Sequence, residues 1–114
     1  MPLSIKNNIS ALRALGTRQA VTSNNIANLD SNEFKRSTAI LAEEETGAVS
    51  VRVQQIQTSG VMINQPDGTL NELSNVDLGL ELTDMKLTKY SYAANVKALQ
   101  AEGEMEDSVI DLLG

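Results

Sequence analysis

The side chains able to do bond-making chemistry are Ser, Thr, Lys, Tyr and carboxylates, because the 114-residue chain has no Cys and no His. Thiolate nucleophiles, thiolate zinc sites, disulfides and imidazole relays are thereby excluded. No Ser or Thr sits in a nucleophile elbow or a phosphate-cradling loop. The densest acidic cluster, Glu43-Glu44-Glu45, reads as a solvated run, since a metal site needs convergent ligands from elsewhere and no motif supplies them. Tyr90 and Tyr92 read as core or interface residues. The sequence assigns no catalytic residue, no metal ligand and no cofactor, and an enzyme is not expected. What stands out is hydrogen-bonding capacity: Asn24, Asn25 and Asn28 fall within five residues. Their short amides compete for the backbone and weaken a helix. Ile26 nevertheless keeps the apolar spacing of the residues before it, so the segment reads as a helix end still packed against a neighbour, with Asn28 able to close it in the left-handed conformation.

The elements that position this stretch follow from periodicity. From Leu3 to about Leu29, Ile5, Ile9, Leu12, Gly16, Gln19, Ser23 and Ile26 recur at alternating steps of four and three, with Ser4 as N-cap. A second set, Asn8, Leu12, Leu15, Gln19, Thr22, Ile26 and Leu29, follows on an adjacent face. Residues 29–48 lose periodicity and read as a connector, with one helical turn at Ala39 to Ala42. Val49, Val51 and Val53 alternate with polar residues as a half-buried strand does. Val61-Met62-Ile63, the turn Gln65-Pro66-Asp67-Gly68 and an extended piece from Leu70 complete a small β element of two or three strands.

From Asp77, a candidate cap, to Leu113 the helical rhythm returns in Leu78, Leu82, Met85, Lys89, Tyr92, Val96, Leu99, Gly103, Glu106, Ile110 and Leu113. A second, Ala-rich face carries Leu80, Leu87, Tyr90, Ala94, Ala98, Ala101, Met105 and Leu112. A helix apolar on two faces needs two neighbours. The N-terminal helix is one; another molecule is the expected second. Gly16, Gly79 and Gly103 mark either close helix approaches or tolerated defects, each costing about 1 kcal/mol relative to Ala. The expected fold is mainly α with a small β element. It has an N-terminal helix (1–29), a connector with a short β-hairpin-like middle (30–75) and a C-terminal helix (76–114), the two helices pairing as an antiparallel coiled coil or hairpin in one domain.

The net charge of −6 argues against nucleic acid or an anionic membrane surface as partner. Residues 1–36 carry five bases against Asp30 and Glu33, whereas residues 76–114 carry eight acids against Lys86, Lys89 and Lys97. The two ends attract each other, or the opposite ends of neighbouring copies. One Phe, two Tyr and no Trp leave a thin core. No apolar run reaches membrane-spanning length, so no direct membrane insertion is expected, and the N-terminus lacks the pattern of a secretory signal.

Asn24-Asn25-Ile26-Ala27-Asn28 followed by Phe34-Lys35-Arg36-Ser37 resembles the N-terminal motif of the bacterial flagellar rod and hook family. Asn75-Val76-Asp77-Leu78, Glu81-Leu82, Met85, then Tyr92-Ala93-Ala94-Asn95-Val96 and Leu99 resemble its C-terminal motif. The middle sits where the short proximal-rod members carry a small segment. Ser31-Asn32-Glu33 stands where the family usually has Thr-Pro-Gly or Thr-Asp-Gly, and Phe34 where Tyr is common. The resemblance implies a structural subunit of the flagellar basal-body rod. It would assemble through its terminal helices with itself and other rod and hook axial proteins, and reach the periplasmic rod through the flagellar type III export apparatus without a cleaved signal. The expected assembly residues are Ile5, Ile9, Leu12, Asn24, Asn25, Ile26, Asn28, Leu78, Leu82, Met85, Tyr92, Asn95, Val96 and Leu99. From physics alone the asparagine stretch reads first as a frayed helix end, and the alternative for the two helices is a monomeric hairpin serving as a soluble adaptor or export-associated binding protein.

Overall fold

The computed structural model describes residues 3–113, with side chains from residue 5. Two helices, α1 (Leu3–Ala27) and α2 (Leu78–Leu113), enclose four strands in chain order, β1 (Ser37–Glu43), β2 (Val49–Gln55), β3 (Met62–Asn64) and β4 (Leu70–Glu72). The helices run antiparallel: Asn25 meets Glu81 at one end of the pair, while Ala11 and Leu15 lie with Ser91 and Asn95 further along. At about 1.5 Å per residue α2 outreaches α1 by roughly 15 Å. Its last turns therefore extend past the pair, in a body measuring 79 × 24 × 14 Å.

Asp77 caps α2. Its carboxylate accepts from Leu80 N at 3.2 Å and its carbonyl from Glu81 N at 3.0 Å, the geometry that satisfies otherwise orphaned first-turn donors. The side chain of Ser4, the expected cap of α1, lies outside the described residues. The other end of α1 departs from expectation. Asn28 keeps a negative φ, since Glu33 is the non-glycine residue with positive φ among those described. The Asn28 amide instead donates to the Asn24 carbonyl at 2.9 Å and accepts from Ser31 Oγ at 3.0 Å. A side-chain amide that meets the terminal carbonyls makes the left-handed closure unnecessary.

Two corrections concern the middle. It holds four strands rather than two or three, arranged as two antiparallel hairpins, β1–β2 and β3–β4. Ala39 to Ala42 form no helical turn: they lie in β1 with Ala39 opposite Val53, Ile40 opposite Arg52 and Leu41 opposite Val51. Cross-strand pairing and burial of one face outweigh the weak helical preference of Ala and Leu. The acidic run ends β1 at Glu43 and begins the β1–β2 turn at Glu44, with Glu43, Glu44 and Glu45 exposed. Each hairpin turns through four residues and closes on a glycine in the left-handed region, Gly47 at φ 87° and Gly68 at φ 88°.

The β1–β2 hairpin lies lengthwise on α1. Ser37 binds Asn25 at one end; at the other, Ser10 Oγ accepts from Val49 N at 2.9 Å and Asn7 Nδ2 donates to Thr46 O at 3.0 Å. Seven strand residues and the helix between these anchors both cover roughly 25 Å, so strand and helix match in length. Leu41 and Val49 close over one side of the cleft between α1 and α2. The fully buried apolar residues are few, Ala14 and Leu15.

Glu33 holds φ at 63° while its N–H donates to Glu72 O at 2.9 Å. This is the position where the resembling family places Gly, and a non-glycine residue there costs about 1 kcal/mol or more. Glu33→Gly should stabilise the monomer by roughly 1 kcal/mol, seen as a higher denaturant midpoint with unchanged slope.

Candidate assembly junction and helix faces

The chemistry of the asparagine stretch is visible in Asn25, which is wholly inaccessible to solvent. Its Nδ2 donates to Ser37 O at 2.8 Å and its Oδ1 accepts from Ser37 N at 3.0 Å. The amide thus acts as one more rung of ladder for the first residue of β1. The same Nδ2 donates to Glu81 Oε2 at 3.1 Å, and Arg36 Nε donates to Glu81 Oε1 at 2.8 Å. Glu81 is 1% exposed. A buried carboxylate is tolerable only when paired and hydrogen-bonded, and here a guanidinium and an amide take one oxygen each. Three elements, the end of α1, the start of β1 and the first turn of α2, meet at one carboxylate.

A second amide continues the junction. Asn75 Oδ1 accepts from Arg36 N at 2.6 Å, while its Nδ2 donates to Ile56 O at 2.8 Å and Thr58 O at 2.9 Å. Ser74 Oγ donates to Leu29 O. Lys35 Nζ pairs with Glu72 Oε1, which also accepts from Gly60 N at 3.0 Å. The Lys35 ammonium, followed by the Gly60 N–H, holds the Glu72 carboxyl below the usual carboxylate range. Arg18 and Asp84 add a looser pair at 3.6 Å, half in solvent. Two of these ion pairs, Arg36–Glu81 and Arg18–Asp84, join the basic N-terminal part to the acidic C-terminal part within one chain.

The expected assembly residues divide by environment. Ile5, Ile9, Leu12, Ile26, Asn28, Met85, Asn95, Val96 and Leu99 are half-buried, Asn25 is buried, and Asn24, Leu78, Leu82 and Tyr92 are exposed. The contact between α1 and α2 follows the second, adjacent set on α1 and runs one residue off the expected seam on α2. Leu15 and Thr22 are buried on α1 and Glu81 and Thr88 on α2, whereas Gly16 and Ser23 are exposed. The physical reason is the junction: burying Glu81 against Asn25 and Arg36 fixes the rotation of α2 and turns Leu78, Leu82 and Tyr92 outward. Tyr90 and Tyr92, at 60% and 43% exposure, are not core residues. The second face of α2, from Leu80 through Leu87, Tyr90, Ala94, Ala98 and Ala101 to Met105 and Leu112, is exposed at every position.

On the side of the helix pair opposite the hairpin, an open and mostly apolar groove of about 540 Å³ runs between Leu15, Gly16, Gln19, Ala20 and Ser23 of α1 and Thr88, Lys89, Tyr92 and Ala93 of α2. Sequence reasoning singled out the amides but passed over Glu81, Arg36 and Asn75 as site residues. The signal for Glu81 was its place between Leu80 and Leu82 on an otherwise apolar first turn.

Two family profiles match the chain. One describes a flagella basal body rod protein and covers residues 5–35. The other, the C-terminal part of the flagellar basal body rod FlgEFG proteins, covers residues 67–112. Together they span more than half of the sequence, in the order the two motifs require.

The chain belongs to the flagellar basal-body rod family.

No curated protein matches it. Family membership makes it a structural component of the basal-body rod, serving motility. Each of the two matched segments holds one half of the buried junction: Asn25 lies in the first, and Asn75 and Glu81 lie in the second. Arg36 and Ser37 follow directly on the first. No described helix of this rod protein is long and apolar enough to cross a membrane.

Replacing Asn25 by Ala removes the partner of both Ser37 backbone groups and should cost about 2–3 kcal/mol. Asn25→Asp should cost more at neutral pH, because it sets a second carboxylate against Glu81. Burial and like charge raise the folded-state pKa of the introduced group, so its penalty shrinks as pH falls; urea titrations at neutral and acidic pH test this. For Glu72, the folded pKa is lowered, so its pair with Lys35 contributes fully above the ordinary carboxylate range and is lost as pH falls through the lowered value. Lys35→Met should therefore lower stability at neutral pH and converge with the unaltered protein in acid.

Proposed function

We propose that this rod-family chain builds the axial shaft by self-assembly, its terminal helices packing against further copies and against other rod and hook axial proteins. Delivery to the periplasmic rod through the flagellar type III export apparatus belongs to the same reading. The observation that carries it is the uncovered second face of α2. Leu80 is 46% exposed, Leu87 53%, Tyr90 60% and Met105 68%, at helical spacing along one side. A contiguous apolar stripe of this kind marks an interaction surface, and each such side chain contributes about 1.5–3 kcal/mol when buried. Ala94, Ala98 and Ala101 between them permit close approach of another helix.

The junction serves this role by fixing the rotation of α2. With Glu81 held inward, the exposed face cannot be satisfied by α1 of the same chain. Assembly by burial predicts that sedimentation velocity across a wide concentration range shows growing species, with helix content by circular dichroism steady or rising. Leu87→Asp, at an exposed position, should leave the monomer fold intact and raise the concentration needed for assembly at least tenfold. A fully helical monomer that persists at all concentrations would favour a soluble adaptor instead.

A further inference from the structure

The helix pair has two long grooves, and the chain fills one of them. The β1–β2 hairpin covers the side of Leu41 and Val49, leaving only a cleft of about 350 Å³. The other is open. Its walls are the residues of the heptad seams: Gly16, Gln19 and Ser23 on α1, Lys89 and Tyr92 on α2. Two helices whose seam positions face a shared open groove present the site of a third helix. At the floor, Gln19 Oε1 and Thr88 Oγ1 are buried with no hydrogen-bond partner, and buried polar atoms are normally satisfied.

The occupant is indicated by the last turns of α2. Met105, Val109 and Leu112 recur at steps of four and three and are 68%, 54% and 87% exposed. They extend beyond the end of α1, so none of the described residues covers them. Residues 102–111 carry five acids and no base, while Lys89 stands on the groove wall and Arg13 lies exposed one turn before Gly16 on α1. The overhang of roughly 15 Å matches the roughly 12 Å covered by Leu15 to Ser23.

We infer that the end of α2 in one copy seats in the open α1–α2 groove of a second copy, a head-to-tail contact that leaves a free groove at one end and a free tail at the other. Such a heterologous contact propagates into an open chain. It rests on the rod-subunit reading and specifies one contact within it.

The chain has no cysteine, so single introduced thiols report proximity without background. Ala20→Cys in the groove and Val109→Cys in the tail are made in separate proteins, mixed and oxidised, with heterodimers counted by mass. The groove–tail disulfide should form at least tenfold faster than one between Ala20→Cys and a control thiol at Leu70→Cys, an exposed site in β4. Adding Gly16→Gln should abolish the difference. A Cβ added at Gly16 has open space around it, with nothing outside its own stretch of helix within 4 Å, so this change strengthens the monomer helix while placing a side chain in the groove. The double variant Ala20→Cys/Val109→Cys should give a ladder of covalent oligomers. Equal rates with the control, or a cross-link indifferent to Gly16→Gln, overturns the contact. Sedimentation of the cysteine-free protein separates the two ideas. Assembly without the cross-link sinks this contact alone, and a monomer with no cross-link sinks the self-assembly reading with it.

Discussion

The rest of the molecule depends on one buried carboxylate. Glu81 sits in the first turn of the long helix, almost wholly out of water, and is acceptable there only because Arg36 and Asn25 meet its two oxygens. That requirement pins the start of α2 to the end of α1 and to the first residue of β1. It also sets which way α2 faces. A helix carrying Leu78 and Leu82 on its first seam would, by burial alone, turn that seam toward α1. Instead a polar contact takes the inner face, and the leucines remain for other surfaces. The single chain thereby forgoes the burial of those apolar side chains against α1.

The flanking contacts reinforce this placement. Asn75 binds the backbone of Arg36, Ile56 and Thr58, joining the exits of both hairpins to the junction. Lys35 and Glu72 tie the second hairpin to the same point. The junction is thus amide-rich for a geometric reason: Asn presents a donor and an acceptor on separate atoms of a short side chain, so that from a helix it meets both the N–H and the C=O of one strand residue.

Much of this was legible in the sequence, and the part that was not has a clear cause. The two helices, the Asp77 cap, the Val49 to Val53 alternation and the Pro66-Asp67-Gly68 turn follow from local periodicity and turn chemistry, and the structure contains each. The asparagine stretch was recognisable as a packed helix end, because Ile26 kept the apolar rhythm among residues that weaken a helix. The strand at Ala39 to Ala42 was not recognisable, since its identity comes from pairing with Val51 and Val53 across a turn rather than from its own residues. The helix rotation was missed for a related reason. Apolar periodicity shows that leucines need cover but not whose, and only the partner geometry of Glu81 decides that α1 does not supply it.

The junction has a consequence for how the chain reaches its fold. Asn25 and Glu81 are far apart in sequence, and bringing them together closes a long loop whose entropic cost rises with its length. More than half of that loop is taken up by the two hairpins, whose ends are already adjacent once their four-residue turns have closed. Forming them first shortens the effective loop by about a factor of two and lowers the closing cost by roughly 0.6 kcal/mol. Local pairing of this kind is also fast compared with long-range docking. The glycines at the two turns, remote from the buried carboxylate in the finished molecule, are therefore early determinants of whether its partners find one another.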